Sequence, residues 1–318
     1  MGYYTAQEVP FLGALAQAYT TCDHWFASIL AETFPNRMFL WAAQTDRLSN
    51  TLSLSGLATI FDRLSAGRIS HRYYFGNIPF LALWGLKYAP VSSTFDDFLS
   101  DVKAGKLPSV SFVDPKFTEF DDGLGDDDHP HSDIRNGDAF LSRLFRAVAT
   151  GPKWSNTVLV IVFDEWGGFF DHVAPPRVIA PNAVDTNLVN GNALLGFRVP
   201  VIIASPFTRG SNKIDSTVYD HTAVLKLIEW RWGLSPLTLR DASQEIGNPV
   251  AKFNFSTPDA SVPALPEPAS VPALPCFLQG SGAKPAATQK HPTAFGSLRQ
   301  SQPVSDWLKR PQFQNLPK

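Results

Sequence analysis

The sequence predicts an α/β fold in which a mainly parallel sheet is covered by helices, and two kinds of pattern support this prediction. Short apolar runs that end in polar or glycine residues occur at 110–113, 158–163 and 199–204, and each has the composition of a strand buried on both faces. Apolar residues recur at helical spacing over 139–149 and 222–232. Alternating strands and helices are typical of a parallel sheet with helices on its faces.

The two predicted helices have different signals. The helix at 222–232 is followed by Gly233, a residue that often ends helices because it adopts a left-handed conformation without strain. The helix at 139–149 carries one apolar stripe, formed by Phe140, Leu141, Leu144, Phe145 and Val148.

The composition changes near Pro258, which predicts where the α/β domain ends. Residues 260–266 and 269–275 repeat the same seven letters, ASVPALP. Proline at this density prevents a regular helix or a central strand. We therefore expect one domain over 1–255 and an irregular, Pro-rich extended tail over 256–318, to which we assign no chemistry.

Composition and charge predict a chain with a sizeable core and no nucleic-acid partner. The chain has 318 residues, of which 44% are hydrophobic, enough for a sizeable core. Lys and Arg number 27 against 29 Asp and Glu, a formal net charge of -2, so no nucleic-acid partner is expected.

Targeting and redox signals are sparse. No apolar run reaches the roughly 18 residues of a transmembrane segment, and the first residues lack a signal-peptide pattern, so the compartment stays open. Cys22 and Cys276 are too few for a disulfide framework or a Cys-based zinc site, although one bridge between them stays open.

An acidic pair follows the second predicted strand. Asp164 and Glu165 lie just past its carboxyl end, where ligands bind in open α/β sheets, and two glycines follow as a turn. With His172 nearby, these carboxylates form a mixed oxygen and nitrogen set suited to a divalent cation such as Zn, Mn or Fe. Asp171 could orient His172 or serve elsewhere in the site. The alternative is that the acids are solvated loop residues and the histidine is packed or exposed.

A second candidate site is the segment 33–37. The Thr33 hydroxyl is a nucleophile only when a base or a metal takes its proton. Arg37 is suited to bind phosphate oxygens as a two-pronged donor, and the Asn36 amide to donate to developing charge. The alternative is an ordinary turn.

Two further histidines are candidates. His129 follows an acid-rich stretch, 119–128, that does not fit a calcium-binding loop. His129 could protonate a leaving group, or it could be structural or merely exposed. His221 stands at a predicted helix start as a further base or ligand, next to Asp220 as a possible cap. Arg198 is as well suited to an ion pair as to substrate contact.

Taken in order, these motifs resemble a phosphoesterase family that contains bacterial and plant phospholipases C and a group of acid phosphatases. The resemblance covers about residues 1–235 and implies an alkaline-phosphatase-like fold, a three-layer α/β/α arrangement around a mainly parallel sheet. The domain over 1–255 would then be the catalytic domain. The segments that carry the resemblance are 33–37, 107–114, 128–130, 164–173, 196–206 and 219–222.

The resemblance implies a role for each matching residue. Thr33 corresponds to the nucleophile of a phosphoryl-enzyme mechanism, and Asn36 and Arg37 to substrate-binding residues of the same motif. Asp164 and Glu165 correspond to an acidic pair that binds a divalent metal ion or acts beside it. The histidines around the phosphate would be His129, His172 and His221, and Arg198 would be mainly structural.

The chain departs from the family at one point. The family's first motif, Glu-Asn-x-Ser-Phe-Asp at the end of the first strand, does not occur, so we expect an N-terminally incomplete domain. Losing that strand would leave a gap in the sheet and expose its edges.

The resulting functional hypothesis is a phospholipase C-like phosphodiesterase with Thr33 as nucleophile and a divalent metal of unknown identity. The alternatives are a broad-specificity acid phosphomonoesterase and a catalytically incomplete remnant or binding protein. The substrate would be a phosphate ester or phospholipid. Trp166, Phe169 and Phe170 would contact an acyl chain or, transiently, a membrane surface, unless they only form the wall of the site.

Overall fold

The computed structural model describes residues 3–120, 124–130, 132–185, 187–210, 213–268 and 292–314. Its α-helices are α1 (Pro10–Ala18), α2 (Thr33–Ala42), α3 (Ile60–Ala66), α4 (Phe95–Lys103), α5 (Ile134–Thr150), α6 (Thr222–Trp232), α7 (Leu239–Ala242), α8 (Ala294–Arg299) and α9 (Gln302–Leu308). Its strands are β1 (Thr20–Cys22), β2 (His71–Phe75), β3 (Ser92–Thr94), β4 (Val110–Val113), β5 (Leu159–Val162), β6 (Arg177–Ile179), β7 (Asn192–Leu194), β8 (Val201–Ala204) and β9 (Lys213–Asp215).

The strands form two main sheets and a hairpin. In the three-stranded sheet, β3–β2–β4, both pairs are parallel, with Tyr73 opposite both Ser92 and Phe112. In the four-stranded sheet, β5–β8–β1–β9, β1 and β9 are parallel, whereas β8 runs antiparallel to both of its neighbours. The strands β6 and β7 pair as a separate antiparallel hairpin. The predicted α/β class is confirmed.

Helices cover both faces of the sheets. Along β8, Ile202 and Ala204 join a hydrophobic core shared with α1, α4 and α5, whereas Val201 and Ile203 join a core shared with α2, α3 and α6. Because successive strand residues point to opposite faces of a sheet, the two cores lie on opposite sides. The described residues thus form the three layers expected for this fold.

Predicted and observed elements agree closely where the local signal is strong. The strand expected at 110–113 is β4, and the helix expected at 222–232 is α6, which ends at Gly233 in the left-handed conformation with φ 63°. The expected burial of β5 on both faces is only partial, since Ile161 is buried but its neighbours in the strand are partly exposed. The reason is a cavity of about 1580 Å³ that both β4 and β5 line. Within the described residues the two strands belong to different sheets, and the gap expected from a missing first strand stays a prediction.

The extended tail expected after residue 255 does not hold for residues 294–313. Residues 258–268 contain no helix or strand, but α8 and α9 follow and pack on the main core. The Phe295 ring stacks on Phe117 with centroids 3.7 Å apart, and Trp307 Nε1 donates to Gly85 O at 2.6 Å. The buried residues of this segment are Phe295, Leu298, Val304, Trp307 and Phe313.

The domain boundary at 255/256 stays a prediction. The second copy of the heptapeptide repeat and Cys276 lie outside the described residues, so the Cys22–Cys276 bridge stays a prediction too. Cys22 is buried, and burial raises the pKa of its thiol to about 12. No helix in the described part of the chain is long and apolar enough to cross a membrane.

Candidate active site

The candidate site lies where the carboxyl ends of β4 and β5 meet the start of α2. Asp114 directly follows β4, and Asp164 is the second residue after the end of β5. The Arg37 guanidinium joins them: Nη2 donates to Asp114 Oδ1, and Nη1 lies 3.5 Å from Asp164 Oδ2. This is the strand edge at which α/β proteins bind ligands, as the sequence predicted for Asp164.

Thr33 is the first residue of α2 and is buried. The next backbone N–H, that of Phe34, donates to Asn50 Oδ1 at 2.7 Å, and this bond fixes the start of the helix. Pro35 has no N–H, and the Asn36 N–H donates to Glu32 O at 3.4 Å. The start of α2 therefore offers few free N–H donors, and Thr33 contributes its hydroxyl rather than a helix-end anion site.

Asn36 holds the loop in front of Thr33 and is not available to a substrate. Its Oδ1 accepts from the Ile29 backbone N–H at 3.1 Å, and its Nδ2 donates to Ala31 O and Glu32 O at 3.0 and 3.2 Å. The side chain is completely buried. The substrate-binding role predicted for Asn36 does not fit this geometry, because each of its polar atoms already has an internal partner.

Glu165 lies close enough to the Thr33 hydroxyl for that hydroxyl to lower the pKa of its carboxyl group. Its Oε2 also accepts from the Gly167 N–H at 2.7 Å. Gly167 and Gly168 have φ of 66° and 77°, so the predicted glycine turn is present. Burial and the adjacent Asp164 charge raise the pKa of Glu165 to about 7, although Thr33 and the Gly167 and Gly168 backbone groups lower it. A carboxylate with such a pKa can take a proton from Thr33 near neutral pH.

Arg37 is enclosed by aromatic rings, and its position does not match its predicted role as a hydrogen-bond donor to phosphate oxygens. Its guanidinium lies between 4.9 and 5.8 Å from the ring centroids of Phe117, Phe80, Phe295 and Trp41. Burial alone would lower the pKa of Arg37, but the Asp114 and Asp164 carboxylates outweigh it and raise that pKa. Its charge is thus already shared between two carboxylates, and its side chain is almost inaccessible.

His221 is also engaged internally. Its Nε2 donates to the Asp164 backbone carbonyl at 2.6 Å, which leaves Nδ1 as the acceptor for Trp25 Nε1 at 3.4 Å. Burial lowers the pKa of this imidazole, so it stays neutral. Neither ring nitrogen is left for the predicted acid–base or ligand role, and the observed contact instead orients Asp164.

His172 lies outside the site. Its side chain is 74% exposed, and Nδ1 is 3.5 Å from Asp171 Oδ1. Asp171 is itself held by Arg198, which donates to both carboxylate oxygens at 2.7 and 3.0 Å and to Asp23 O at 3.1 Å. These hydrogen bonds lower the pKa of Asp171 to about 2. Arg198 thus forms a structural ion pair, as expected. Among the described residues, no contact joins the His172 side chain to Thr33 or Glu165, so this geometry does not support its predicted catalytic role.

His129 is the predicted histidine that remains available. It is partly buried and lines the same cavity as Thr33, Asp164 and Glu165. Its loop adjoins the glycine turn, since a Cβ placed on Gly167 would stand 3.5 Å from Pro130 Cγ. Its predicted role as proton donor stays a prediction.

The described residues do not complete the predicted metal centre. No three His, Cys, Asp or Glu side chains among them converge on a common point. Asp164 Oδ2 faces Arg37, and Glu165 Oε2 is used by Gly167, so the pair offers fewer free oxygens than a catalytic divalent ion takes from its protein ligands. The divalent metal at Asp164 and Glu165 thus stays a prediction.

Two site residues were missed by sequence reasoning. Asp114 directly follows β4, so the strand-end signal that selected Asp164 was available for it. The Tyr73 hydroxyl donates to Asp114 Oδ2 at 2.6 Å, and burial followed by the Asp114 charge raises its pKa well above the usual value. No local pattern pointed to Tyr73, because it lies 41 residues away in another strand.

The mouth of the cavity carries exposed aromatic rings. Phe169 and Phe170 are 64% and 68% exposed directly after the glycine turn. The ring centroids of Phe170 and Phe197 lie 6.0 Å apart. Those of Trp166, which is partly buried, and Phe197 lie 5.3 Å apart. Exposed apolar side chains beside a cavity are typical of a surface that binds an apolar partner.

Comparisons with known proteins give consistent results. The model of the Phosphoesterase family matches residues 1–235. The chain is 33% identical over 290 residues to non-specific phospholipase C6 of Arabidopsis thaliana, a match covering 83% of this chain and 55% of that protein. It is 31% identical over 330 residues to phospholipase C A of Mycobacterium tuberculosis, covering 86% and 61% of the two chains. The matches thus span little more than half of these relatives.

Solved structures match more weakly. A protein of the alkaline phosphatase superfamily from Vibrio parahaemolyticus gives a TM-score of 0.48 at 13% identity, covering 75% of this chain and 63% of that chain. Phosphonate monoester hydrolase of Agrobacterium radiobacter gives 0.43 at 14% identity, covering 72% and 69%.

Proposed function

Because this chain belongs to the Phosphoesterase family, we propose that it hydrolyses phosphate esters with Thr33 as the nucleophile. The observation that carries the proposal is that Thr33, the first residue of α2, and Glu165 line the same cavity, close enough for the Thr33 hydroxyl to act on the Glu165 carboxyl. The proposed nucleophile and a base with a pKa of about 7 thus line the same cavity.

The proposed reaction has two displacements. Glu165 takes the hydroxyl proton as Thr33 Oγ1 attacks phosphorus, and the bond from phosphorus to the leaving alcohol breaks. The leaving oxygen takes a proton from His129, which lines the cavity and, unlike His221, has no ring nitrogen engaged by an internal partner among the described residues. Water then attacks the phosphoryl-threonine and gives a proton to His129. The bond from phosphorus to Thr33 Oγ1 breaks, and Glu165 returns its proton to Thr33 as the phosphate product leaves.

The proposed substrate is a phospholipid, cleaved on the glycerol side of its phosphate. Two relatives carry the name phospholipase C, and Phe169 and Phe170 give this chain an apolar surface at the mouth of the cavity. Phosphocholine or a similar headgroup phosphate would be one product, and diacylglycerol the other.

Two alternatives remain from the sequence. A phosphomonoesterase would use the same nucleophile on a smaller ester. A non-catalytic binding protein is favoured by one observation, namely that the described carboxylates and imidazoles do not converge as a complete metal centre.

The test is hydrolysis of p-nitrophenyl phosphocholine and p-nitrophenyl phosphate by the purified chain. Each assay is run in EDTA and with added Zn²⁺, Mn²⁺, Fe²⁺ or Ca²⁺. Thr33→Ala should reduce the rate on the order of a thousandfold or more, whereas Thr33→Ser keeps the hydroxyl and should stay within about tenfold of wild type.

The outcomes separate the three readings. A preference for the phosphocholine ester supports the phospholipase, and a preference for the simple phosphate supports the phosphomonoesterase. Unchanged activity of Thr33→Ala would reject Thr33 as nucleophile. Absence of wild-type activity under every condition would favour the binding protein.

A further inference from the structure

The first copy of the heptapeptide repeat ASVPALP lies against the folded domain. It belongs to a segment without helix or strand, but three of its backbone carbonyls accept hydrogen bonds from side chains of the domain. Trp154 Nε1 donates to Ala260 O at 3.1 Å, at the start of the copy. Arg146 Nη2 donates to Leu265 O and Pro266 O, both at 2.8 Å, at its end. These bonds hold the copy at both ends.

Two side chains of the first copy are withdrawn from solvent. Leu265 is partly buried and packs against the hydrophobic core shared by α1, α4 and α5, and Pro263 is partly buried as well. The remaining residues of the copy are exposed. Because proline has no N–H, carbonyls are the backbone groups that a Pro-rich segment offers, and proteins bind such segments in grooves lined by aromatic residues. The contacts made by the copy are therefore those of a bound peptide.

The two donors are held by contacts of their own. The Trp154 ring packs edge-on against Phe145, with centroids 5.8 Å apart. Arg146 Nε donates to Ser142 Oγ at 3.0 Å, and its guanidinium carbon lies 5.9 Å from the centroid of the Phe11 ring. Because these contacts do not involve the repeat, both donors stay in position whichever peptide they bind.

The sequence repeats the bound heptapeptide once. The same seven letters recur at 269–275, nine positions after the first copy and outside the described residues. Each residue of the first copy that touches Trp154 or Arg146 thus has an identical counterpart. The copies differ in the residue that follows, which is Glu267 after the first and Cys276 after the second. Glu267 Oε2 lies 3.4 Å from Arg146 Nη2, but its side chain is 79% exposed, so this ion pair discriminates little between the copies.

We propose that Trp154 and Arg146 form a binding site for Pro-rich segments of the sequence ASVPALP, and that the second copy, 269–275, binds there when the first copy leaves. The first copy would leave as a loop over 260–268 whose two ends meet at the site. Compact surface loops with closely spaced ends commonly have this length.

The exchange is possible because the chain before the repeat is anchored separately. The Asp259 N–H donates to Pro206 O at 2.9 Å, so either copy starts from the same point. Closing the loop costs conformational entropy, and the first copy is therefore preferred in the unmodified chain. A repeat from a second molecule would make the same contacts, but a linked copy is present at a high effective concentration. The second occupant is thus the other copy of the same chain.

The exchange would shorten the connection between this site and α8 by nine residues. α8 supplies Phe295, one of the rings around Arg37, so the bound copy sets the length of chain that leads to this part of the core. None of these contacts takes part in hydrolysis, and the proposal does not rest on the proposed function.

The test compares Leu265→Asp, Leu274→Asp and the double variant of the full chain. An aspartate at the leucine position places a charge against the apolar core and should release the copy that carries it. The readout is the indole N–H resonance of Trp154 in the NMR spectrum of the isotope-labelled protein, assigned by its loss in Trp154→Phe. Its shift and its rate of hydrogen exchange report whether a carbonyl of the repeat is bound.

We expect the two single variants to resemble wild type. Leu274→Asp leaves the first copy in place, and in Leu265→Asp the second copy replaces it. Only the double variant should shift the Trp154 resonance to that of an indole in water and speed its hydrogen exchange, by about tenfold or more.

A matched set of deletions tests the same point without an added charge. Removal of 260–268 places the second copy directly after Asp259, and removal of 269–277 leaves the first copy there. Both should keep the wild-type Trp154 resonance. Removal of 260–277 takes away both copies and should give the resonance of a free indole.

The proposal is overturned if Leu265→Asp alone changes the Trp154 resonance as much as the double variant does, since the second copy then does not bind. It is also overturned if the double variant leaves the resonance unchanged. Recovery in Leu265→Asp that requires a rising protein concentration, with a dimer in sedimentation, would assign the site to the repeat of another molecule instead. If the substituted chains do not fold, the deletion of 260–268 decides, and loss of the wild-type resonance there rejects the proposal.

Discussion

Glu165 has a strongly perturbed environment in the candidate site. Burial and the neighbouring Asp164 raise its pKa to about 7, so the folded protein keeps a proton that the unfolded chain releases near pH 4.5. The sign of the linkage follows directly. The stability that Glu165 contributes is complete below about pH 4.5 and is lost as pH rises through about 7.

Replacing this carboxyl group should therefore increase stability above neutral pH and decrease activity. Glu165→Gln keeps the shape and the acceptor for the Gly167 N–H but removes the charge. Thermal unfolding in EDTA should show the variant more stable than wild type at pH 8, by up to about 3 kcal/mol from the full pKa shift, and equally stable at pH 4.5. Phosphocholine ester hydrolysis should fall at the same time, because an amide cannot take the Thr33 proton.

The matched control is Glu267→Gln, which removes an exposed carboxylate from the Pro-rich segment. It should change neither unfolding nor activity measurably. A Glu165→Gln variant that is less stable than wild type at pH 8 would contradict the account of a costly buried charge.

Among the elements, α8 and α9 are the ones whose contribution to the core was hardest to predict from the sequence. Each is short, and neither would be stable alone. Their buried side chains rest on residues contributed by distant segments, such as Phe117 against Phe295 and Gly85 O against Trp307. Because Phe295 is also one of the rings around Arg37, α8 supports the candidate site directly.

Trp307→Ala should accordingly destabilise the whole chain. The side chain is completely buried, so its loss should lower the free energy of unfolding by about 3–5 kcal/mol in urea denaturation. The control is Lys309→Ala, two residues on, where a 69% exposed side chain should change it by less than about 0.5 kcal/mol. Equal effects of the two substitutions would mean that α9 does not belong to the core.

At the level of the whole molecule, Arg37 is a link between the two sheets. It contacts Asp114 after β4 on one side and Asp164 after β5 on the other, across the opening that the cavity leaves between them. The loss of one partner from a buried ion pair leaves an uncompensated charge, which costs more than the pair contributes.

Arg37→Met should therefore reduce the free energy of unfolding by about 3–5 kcal/mol, measured by chemical denaturation. Arg135→Met is the control, because Arg135 pairs with Asp133 at 2.5 Å on a half-exposed side chain. Such a surface pair should contribute little to the free energy of unfolding, because solvent screens it. A cost for Arg37→Met no greater than that of the control would show that Arg37 does not join the sheets.

Much of the architecture was readable from local pattern. The strand at 110–113 and the helix at 222–232 were predicted at their observed residues, because an apolar run between polar residues and a glycine stop are signals carried within a few positions. The strand-end rule likewise located Asp164 and Glu165, and the Thr33 segment was identified by its motif. Family membership followed from several such segments in one order.

What local pattern could not supply was the partner of each polar group. Asn36, Arg37 and His221 have the chemistry of site residues, but internal contacts use both polar atoms of Asn36, both ring nitrogens of His221 and the charge of Arg37. Some of these partners lie 77 and 196 residues away, as for Arg37 with Asp114 and His221 with Trp25. The same holds for α8 and α9, whose few apolar residues form helices only against a distant surface. A side chain's type is set by its own position, whereas its burial and its hydrogen bonds depend on segments that only folding brings beside it.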